Sequence, residues 1–373
     1  MWGSGFWALL NLIAFSAGWA SDNWLEPGST VMVAGYLPPD LSGAGEELAG
    51  PWLRADALWY LKVATQGYGS GPGDYAFYPV FPALVAVLTP LAGKELYAGL
   101  IVAALASLAG FVCLYGVIDR LAGAGAARAA VGGLALFPTS FFLVAPYAEP
   151  VLVAAASGAL LLALDRRYLW ASGAGLVAGL ARPFGFLIAL VLAALVRRDL
   201  RRAWPAVIAP IAGVLGWWAW VGYRTGDALG ALRVQSLWQR EGNFPLLTLA
   251  DAAREWARWR STDLGPYFLM DIAAAAFGLA AVAGGAVVLR RAGRPGLLIG
   301  GFVAYGALVL LIPLSAPFPP RPLLSLPRIV LALFPLFLCF DLVPRPARIP
   351  LASLSAAALA WTTMLFVAAR PIF

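Results

Sequence analysis

The sequence predicts an all-α protein that crosses a membrane many times. Three observations carry this. First, 61% of its 373 residues are hydrophobic and 12% charged, with mean hydropathy +0.81, whereas a soluble domain carries about 25% charged residues. Second, apolar stretches of roughly 17–25 residues follow one another, each long enough for a hydrocarbon core of about 30 Å. Third, glycine and proline recur inside those stretches, which spoils the alternation of a membrane β-barrel and leaves helices as the spanning element.

The chain reads as a single integral-membrane domain over residues 1–373. Phe6–Ala20 is a first span; it lacks a basic leader and a cleavage site, so it is expected to be a retained helix. Residues 21–75 are polar and rich in glycine and proline. Within them Trp52–Gln66 is expected as a short interfacial helix, with Trp59 and Tyr60 at headgroup depth. Ala76–Ala92 is apolar but carries Pro79, Pro82 and Pro90, which predicts a re-entrant or surface helix. Further spans are expected at Leu96–Ile118, Arg128–Ala145 and Pro150–Leu164. A pair hinged at Arg182-Pro183 follows, Tyr168–Ala181 and Phe184–Val196, and then Trp204–Tyr223. After a second long polar stretch, 224–266, come Phe268–Leu289, Leu297–Leu314, Ile329–Val343 and Leu351–Ala369, about eleven helices in all.

Charge orients the set. With Met1 inside and 76–92 not crossing, the inner loops collect Arg120, Arg128, Arg166, Arg167, Arg197, Arg198, Arg201, Arg202, Arg290, Arg291, Arg294, Arg345 and Arg348, half of the 26 basic residues. The positive-inside rule favours this arrangement over one in which 76–92 crosses. The loops 21–95 and 224–266 then form one extracytoplasmic face, with Glu149 and Arg182. The net charge of +7 belongs to these inner loops, so the membrane, and not nucleic acid, is the expected partner. Histidine is absent, which removes the commonest general base and metal ligand. Cys113 and Cys339 both fall in apolar stretches and are expected as buried thiols. No phosphate-cradling glycine loop and no dinucleotide fingerprint is present.

Asp56 is the leading candidate for chemistry. An acid favoured at a helix N-terminus explains it plainly. With Arg54 two residues before, Tyr60 one turn later on the same face and no histidine anywhere, it also fits a general base for a hydroxyl. Asp74 either caps the next helix or stands near a substrate. Trp52, Trp59, Tyr68 and Tyr78 read as interface anchors. Glu149 sits between two apolar spans, where an acid needs water or a partner, and so points into an aqueous cavity. Arg182 lies at the Arg182-Pro183 break, suited to a phosphate or to pairing with Glu149. Arg328 reads as an anion ligand and Arg321 as a snorkelling arginine. The Gln235–Arg240 stretch, with Gln235 and Trp238, mixes donors with an aromatic, as a sugar site does, and equally suits an amphipathic surface helix.

Several short motifs recur in a fixed order: Arg54-Ala55-Asp56-Ala57 with Tyr60-Leu61, Ala64 and Gly67-Tyr68; Ala76-Phe77-Tyr78-Pro79 with Phe81-Pro82; Phe137-Pro138 with Tyr147-Ala148-Glu149; Gly179-Leu180-Ala181-Arg182-Pro183-Phe184-Gly185; Gln235 to Trp238; and Ser325-Leu326-Pro327-Arg328. Together they resemble the GPI mannosyltransferase II (PIG-V-like) family, through most of the chain. Ala55 stands where that family usually has tryptophan, and Ile329 where it has tyrosine.

The resemblance implies a GT-C glycosyltransferase fold in the plasma membrane. It also implies transfer of a sugar, typically mannose, from a polyprenyl-phosphate donor to a glycan or glycolipid acceptor on the extracytoplasmic side. The expected outcome is inversion, without a metal or other cofactor. Asp56 would be the base, and Arg54, Tyr60, Asp74, Glu149, Arg182, Gln235, Trp238 and Arg328 the candidates to bind substrate. A lipid or solute transporter is the rival reading, since broken helices and intramembrane charge suit it too. A scaffold subunit is a third.

Overall fold

The computed structural model describes residues 1–26, 28, 32–227 and 229–371, excepting the side chains at 22, 23, 235 and 238. Among these residues the chain is helix and loop, with one isolated bridge between Phe318 and Arg321. In order, the helices are α1 Trp2–Trp24, α2 Ala44–Ala49, α3 Asp56–Gln66, α4 Val80–Ala92, α5 Glu95–Ala135, α6 Glu149–Leu164, α7 Tyr168–Ala181, α8 Ile188–Val196 and α9 Leu200–Thr225. They continue with α10 Gly230–Arg233, α11 Pro245–Trp259, α12 Gly265–Arg291, α13 Gly296–Leu314, α14 Leu326–Ile329 and α15 Arg345–Val367. Short 3-10 helices intervene. Of these helices α5, α9, α12, α13 and α15 are long and apolar enough to cross a membrane, and α4, α6, α7 and Pro183–Val196 are shorter apolar helices. The protein is an all-α polytopic membrane protein.

Three features depart from the sequence expectation. The expected span Arg128–Ala145 is helical only to Ala135. The chain then runs through Pro138 into a 3-10 turn, Ser140–Leu143, and on to Ala148. Such backbone survives at membrane depth only inside protein. Here Phe141, Phe142 and Tyr147 are fully buried against Phe366 of α15. Second, the expected span Ile329–Val343 is a 13-residue 3-10 helix, Val330–Leu342. At about 2.0 Å per residue it reaches roughly 26 Å, further than the same residues would as an α-helix. Third, Arg321 does not snorkel: it is buried and forks onto Asp271 of α12 at 2.5 and 2.8 Å.

The break expected between the second and third spans is real. Gly123 (φ +85, ψ 165) divides α5, a conformation only glycine holds without strain. The expected hinge at Arg182 is also present, with Arg182 extended (φ −152, ψ 154) between α7 and the 3-10 helix Pro183–Leu187, as proline demands of the residue before it. α4 is the helix expected as re-entrant or lying at the surface. Its 13 residues reach about 20 Å. Both ends return to the first polar loop: Phe77, just before it, stacks on Trp59 (5.4 Å), and Tyr36 bonds to Glu95 (3.0 Å), just after it.

The polar groups gather at two ends. At one, Arg120 pairs with Asp165 (3.0 Å) and Arg348 with Asp341 (3.2 Å), and Asp199 accepts from Tyr168 (2.9 Å). These are residues assigned to the inner loops by charge. At the other end stand Asp56, Glu149, Arg182 and Arg328. Small residues let the helices between them close up. A Cβ on Gly179 of α7 would sit 2.0 Å from the Pro210 carbonyl oxygen of α9. Gly179→Ala is therefore expected to cost roughly 1–3 kcal/mol through overpacking and to lower the melting temperature in detergent. Gly158→Ala, which meets nothing within 4 Å, is expected to leave it unchanged.

Candidate functional site

Asp56 is the first residue of α3, and the chain enters it through a strained turn. The Ala57 N–H donates to the Arg54 carbonyl (3.0 Å), with Ala55 between at φ +48, ψ −123. That is a turn corner glycine favours, and a non-glycine residue there costs of order 1–3 kcal/mol unless its surroundings impose it. Tyr147 imposes it. Its hydroxyl accepts from the Asp56 N–H (3.2 Å) and donates to the Arg54 carbonyl (3.4 Å), bracing the peptides on both sides of Ala55. Fully buried, the Tyr147 hydroxyl serves the turn as both donor and acceptor.

Around this turn four elements deliver charge. Arg328, from α14, donates through Nη1 to Asp56 Oδ2 and places Nε 3.3 Å from Glu149 Oε1. Its guanidinium lies over the rings of Tyr147 (5.5 Å) and Phe142 (5.8 Å). Glu149, at the start of α6 where the helix end favours an acid, also lies 2.8 Å from Arg182 Nη2. Arg182 Nη1 donates to the Tyr60 hydroxyl (2.9 Å), one turn along α3 from Asp56. Burial works against both arginine charges, but the carboxylates outweigh it. Arg328 is held above its ordinary pKa by Asp56 and Glu149, and Arg182 by Glu149 and Tyr60. Burial pushes Tyr60 up to about 12 against the pull of Arg182.

Two features suit this cluster to a ligand. Although Glu149 is buried and ion-paired, neither of its oxygens has an aligned hydrogen-bond donor among the described residues. A buried acceptor left so is costly unless something donates to it. The second feature is Arg240. It is half-buried, and it donates to neutral groups, the Ala316 carbonyl (3.0 Å) and the Ser325 hydroxyl (3.2 Å), three residues before Arg328. Burial and the Arg328 charge press its pKa down, with Asp56 pulling the other way. Arg182, Arg240 and Arg328 against Asp56 and Glu149 leave one positive charge in excess, which suits an anion. Exposure picks out one group: the Asp56 side chain is 27% accessible, against 10% for Arg328 and 5% for Glu149.

The structure thus brings together Asp56, Tyr60, Glu149, Arg182 and Arg328. The pairing of Arg182 with Glu149, foreseen as the plainer reading of Arg182, coexists with the cluster. Arg54 is instead tied through Nε to the Val367 carbonyl at the end of α15 (3.0 Å). Asp74 stands apart. It is fully buried, pairs with Lys62 (2.9 Å) and accepts from Ser70 Oγ (3.0 Å) and the Gly71 N–H (2.9 Å), so it closes the 69–74 loop. The side chains of Gln235 and Trp238 lie outside the described residues; their backbone forms a 3-10 turn just before Arg240. Trp52, Tyr60 and Tyr78 are buried and do not act as interface anchors. Sequence reasoning passed over Tyr147 and Arg240. Tyr147 adjoins Glu149 in one motif, which could have marked it. Arg240 ends the Gln235–Arg240 stretch that mixes donors with an aromatic, which could have marked it apart from the later arginines of its loop.

The helical layers have the GT-C fold. The supporting likeness is to ArnT from Cupriavidus metallidurans, in a crystal structure bound to undecaprenyl phosphate, with TM-score 0.51 and 14% identity over 98% of this chain and 76% of that one. A weaker likeness, TM-score 0.45 at 13% identity, is to the archaeal oligosaccharyltransferase AglB from Archaeoglobus fulgidus, in complex with an inhibitory peptide and a dolichol-phosphate; it covers all of this chain and 56% of that one. No known protein-family model and no curated protein matches the sequence.

The brace on Asp56 is open to test. Tyr147→Phe leaves the Asp56 N–H and Arg54 carbonyl without this partner and is expected to destabilise by about 1–3 kcal/mol, read as a lower melting temperature. Ala55→Gly is expected to hold or raise that temperature. Ala55→Val should lower it, because a β-branched residue tolerates positive φ least.

Proposed function

We propose that the protein is a membrane glycosyltransferase. In this reading it moves a sugar, mannose as the first candidate, from a polyprenyl-phosphate donor to a hydroxyl of a glycan or glycolipid on the extracytoplasmic side. The observation that carries it is the pairing of an accessible carboxylate, Asp56, with arginines whose charge exceeds that of the acids around them. Asp56 Oδ2 is engaged by Arg328, and Oδ1 accepts from no described residue, so Oδ1 is the atom to take the acceptor proton. The acceptor oxygen then attacks the anomeric carbon as the bond to the phosphate oxygen breaks, with inversion. The leaving polyprenyl phosphate gains a negative charge, which Arg240 and Arg328 stabilise. The donor phosphodiester carries one negative charge, matching the single positive excess of the cluster. Glu149, lacking an aligned donor, receives a sugar hydroxyl.

Guanidinium groups engage both carboxylates, so in this reading no metal is required, and EDTA should leave transfer unchanged. The motif resemblance supports a PIG-V-like relationship, and the fold is compatible with it. Transport without chemistry is disfavoured because the charges lie at one end of the helices, whereas a transporter places its site near the midplane.

The test is incubation of purified protein with polyprenyl-phosphate mannose and a panel of lipid-linked acceptors, followed by mass spectrometry. Asp56→Asn is expected to lower turnover by about 10²–10⁴-fold, the usual contribution of a general base, while donor binding persists. Turnover close to wild type in that variant would remove Asp56 from the role. Arg240→Gln is expected to weaken donor binding by roughly 10- to 100-fold, the loss of a charge-assisted hydrogen bond, without lowering the melting temperature.

A further inference from the structure

At the end opposite Asp56 the structure opens a second cleft, of about 260 Å³, between α1, the part of α5 beyond Gly123, the 3-10 helix and α15. It lies below the ~300 Å³ at which small-molecule pockets begin and suits a length of hydrocarbon chain better than a compact solute. Its walls are apolar: Phe6, Leu136, Phe340, Val343 and Leu351. Its floor is glycine, and that is why it exists. A Cβ on Gly132 would sit 3.0 Å from the Phe6 ring, and one on Gly133 2.3 Å from the Phe340 ring, so the two rings flank bare backbone.

Two arginines stand in this cleft. Arg348 is not free to snorkel: its Nε donates to the Val343 carbonyl (2.9 Å), and its Nη2 to the Asp341 carbonyl (3.1 Å) and carboxylate (3.2 Å). Arg128 is exposed and lies over the Trp2 ring (5.6 Å). Among the described residues no carboxylate pairs with it. The arrangement is an apolar slot with a cation at each side, at the end where Arg120 and Arg166 also gather.

We propose that this cleft holds one anionic glycerophospholipid. An acyl chain lies between Phe6 and Phe340, and the phosphate meets Arg128 and Arg348. The occupant is charged because a zwitterionic headgroup offers no net charge to two arginines that face one acid, Asp341. Juxtamembrane arginines draw anionic lipids of the inner leaflet in the same way. The site is remote from Asp56 and does not depend on the proposed transfer reaction.

The experiment uses the full-length protein in detergent, relipidated with dioleoylphosphatidylglycerol or dioleoylphosphatidylcholine. Native mass spectrometry counts retained lipid, and a thermal melt follows stability. Phosphatidylglycerol is expected to be retained at least tenfold more than phosphatidylcholine and to raise the melting temperature; glycerol 3-phosphate, lacking chains, should do neither. Arg128→Gln should lose most of the preference, and Ala352→Trp, which fills the slot, should lose retention of either lipid while the melting temperature without added lipid holds. Equal retention of the two phospholipids would overturn the proposal, as would unchanged preference in Arg128→Gln, or retention of an added polyprenyl phosphate that phosphatidylglycerol does not compete away.

Discussion

Glu149 is the group on which the Asp56 end of the molecule depends. It is a buried carboxylate within 3.3 Å of two guanidinium groups, Arg182 and Arg328. Through them it joins the start of α6, the break after α7 and the turn of α14, and Arg328 carries the link on to Asp56 at the start of α3. A buried acid with two arginines needs each of them: removing one partner of such a set costs about 3–5 kcal/mol, because an uncompensated charge is left behind. The arrangement is strong as an organiser and weak as a source of net stability. It orients Asp56 and holds arginine charge beside it.

The second constraint is the bilayer. Backbone polar groups within hydrocarbon must be bonded inside the protein. The irregular run from Leu136 to Ala148 and the 3-10 helix Val330–Leu342 are exceptions to regular α-helix, and both are buried. Burial is what allows residues 136–148 to leave the helix and deliver Tyr147 and Glu149 side by side. A continuous helix there would set the two, two positions apart, on nearly opposite faces, with side chains about 200° apart. Irregularity within the crossing and the geometry of the site are thus one feature.

Much of the architecture was legible. The hinge at Arg182-Pro183 follows from proline's effect on the residue before it. The separate helices on either side of Gly123 follow from a glycine between two arginines. The short helix α4 follows from the prolines that flank and interrupt its apolar run. Residues brought together at one end, Asp56, Tyr60, Glu149, Arg182 and Arg328, could be singled out because charge is scarce in an apolar chain and expensive at its boundary. The same logic failed where a charge had a private partner. Asp74 spends itself on Lys62, and Arg321 on Asp271, and no local pattern distinguishes a paired acid or arginine from a working one. Aromatic residues misled for a similar reason: a tryptophan at an interface and one in a core look alike, and Trp52 proved fully buried.

The sequence by itself determined that the chain is helical and membrane-spanning, which of its ends carries the loop arginines, and which charged residues are too costly to be idle. Hydropathy and charge are summed along the chain, so they can be read along it. Only the tertiary structure decided that Arg328 lies on Asp56 across 272 positions, that Tyr147 braces the turn before Asp56, that Arg240 arrives among the other arginines, and that Asp74 closes a loop instead. Pairing depends on distances between segments remote in sequence, and those distances are set by how helices pack through small residues. A linear pattern does not contain them.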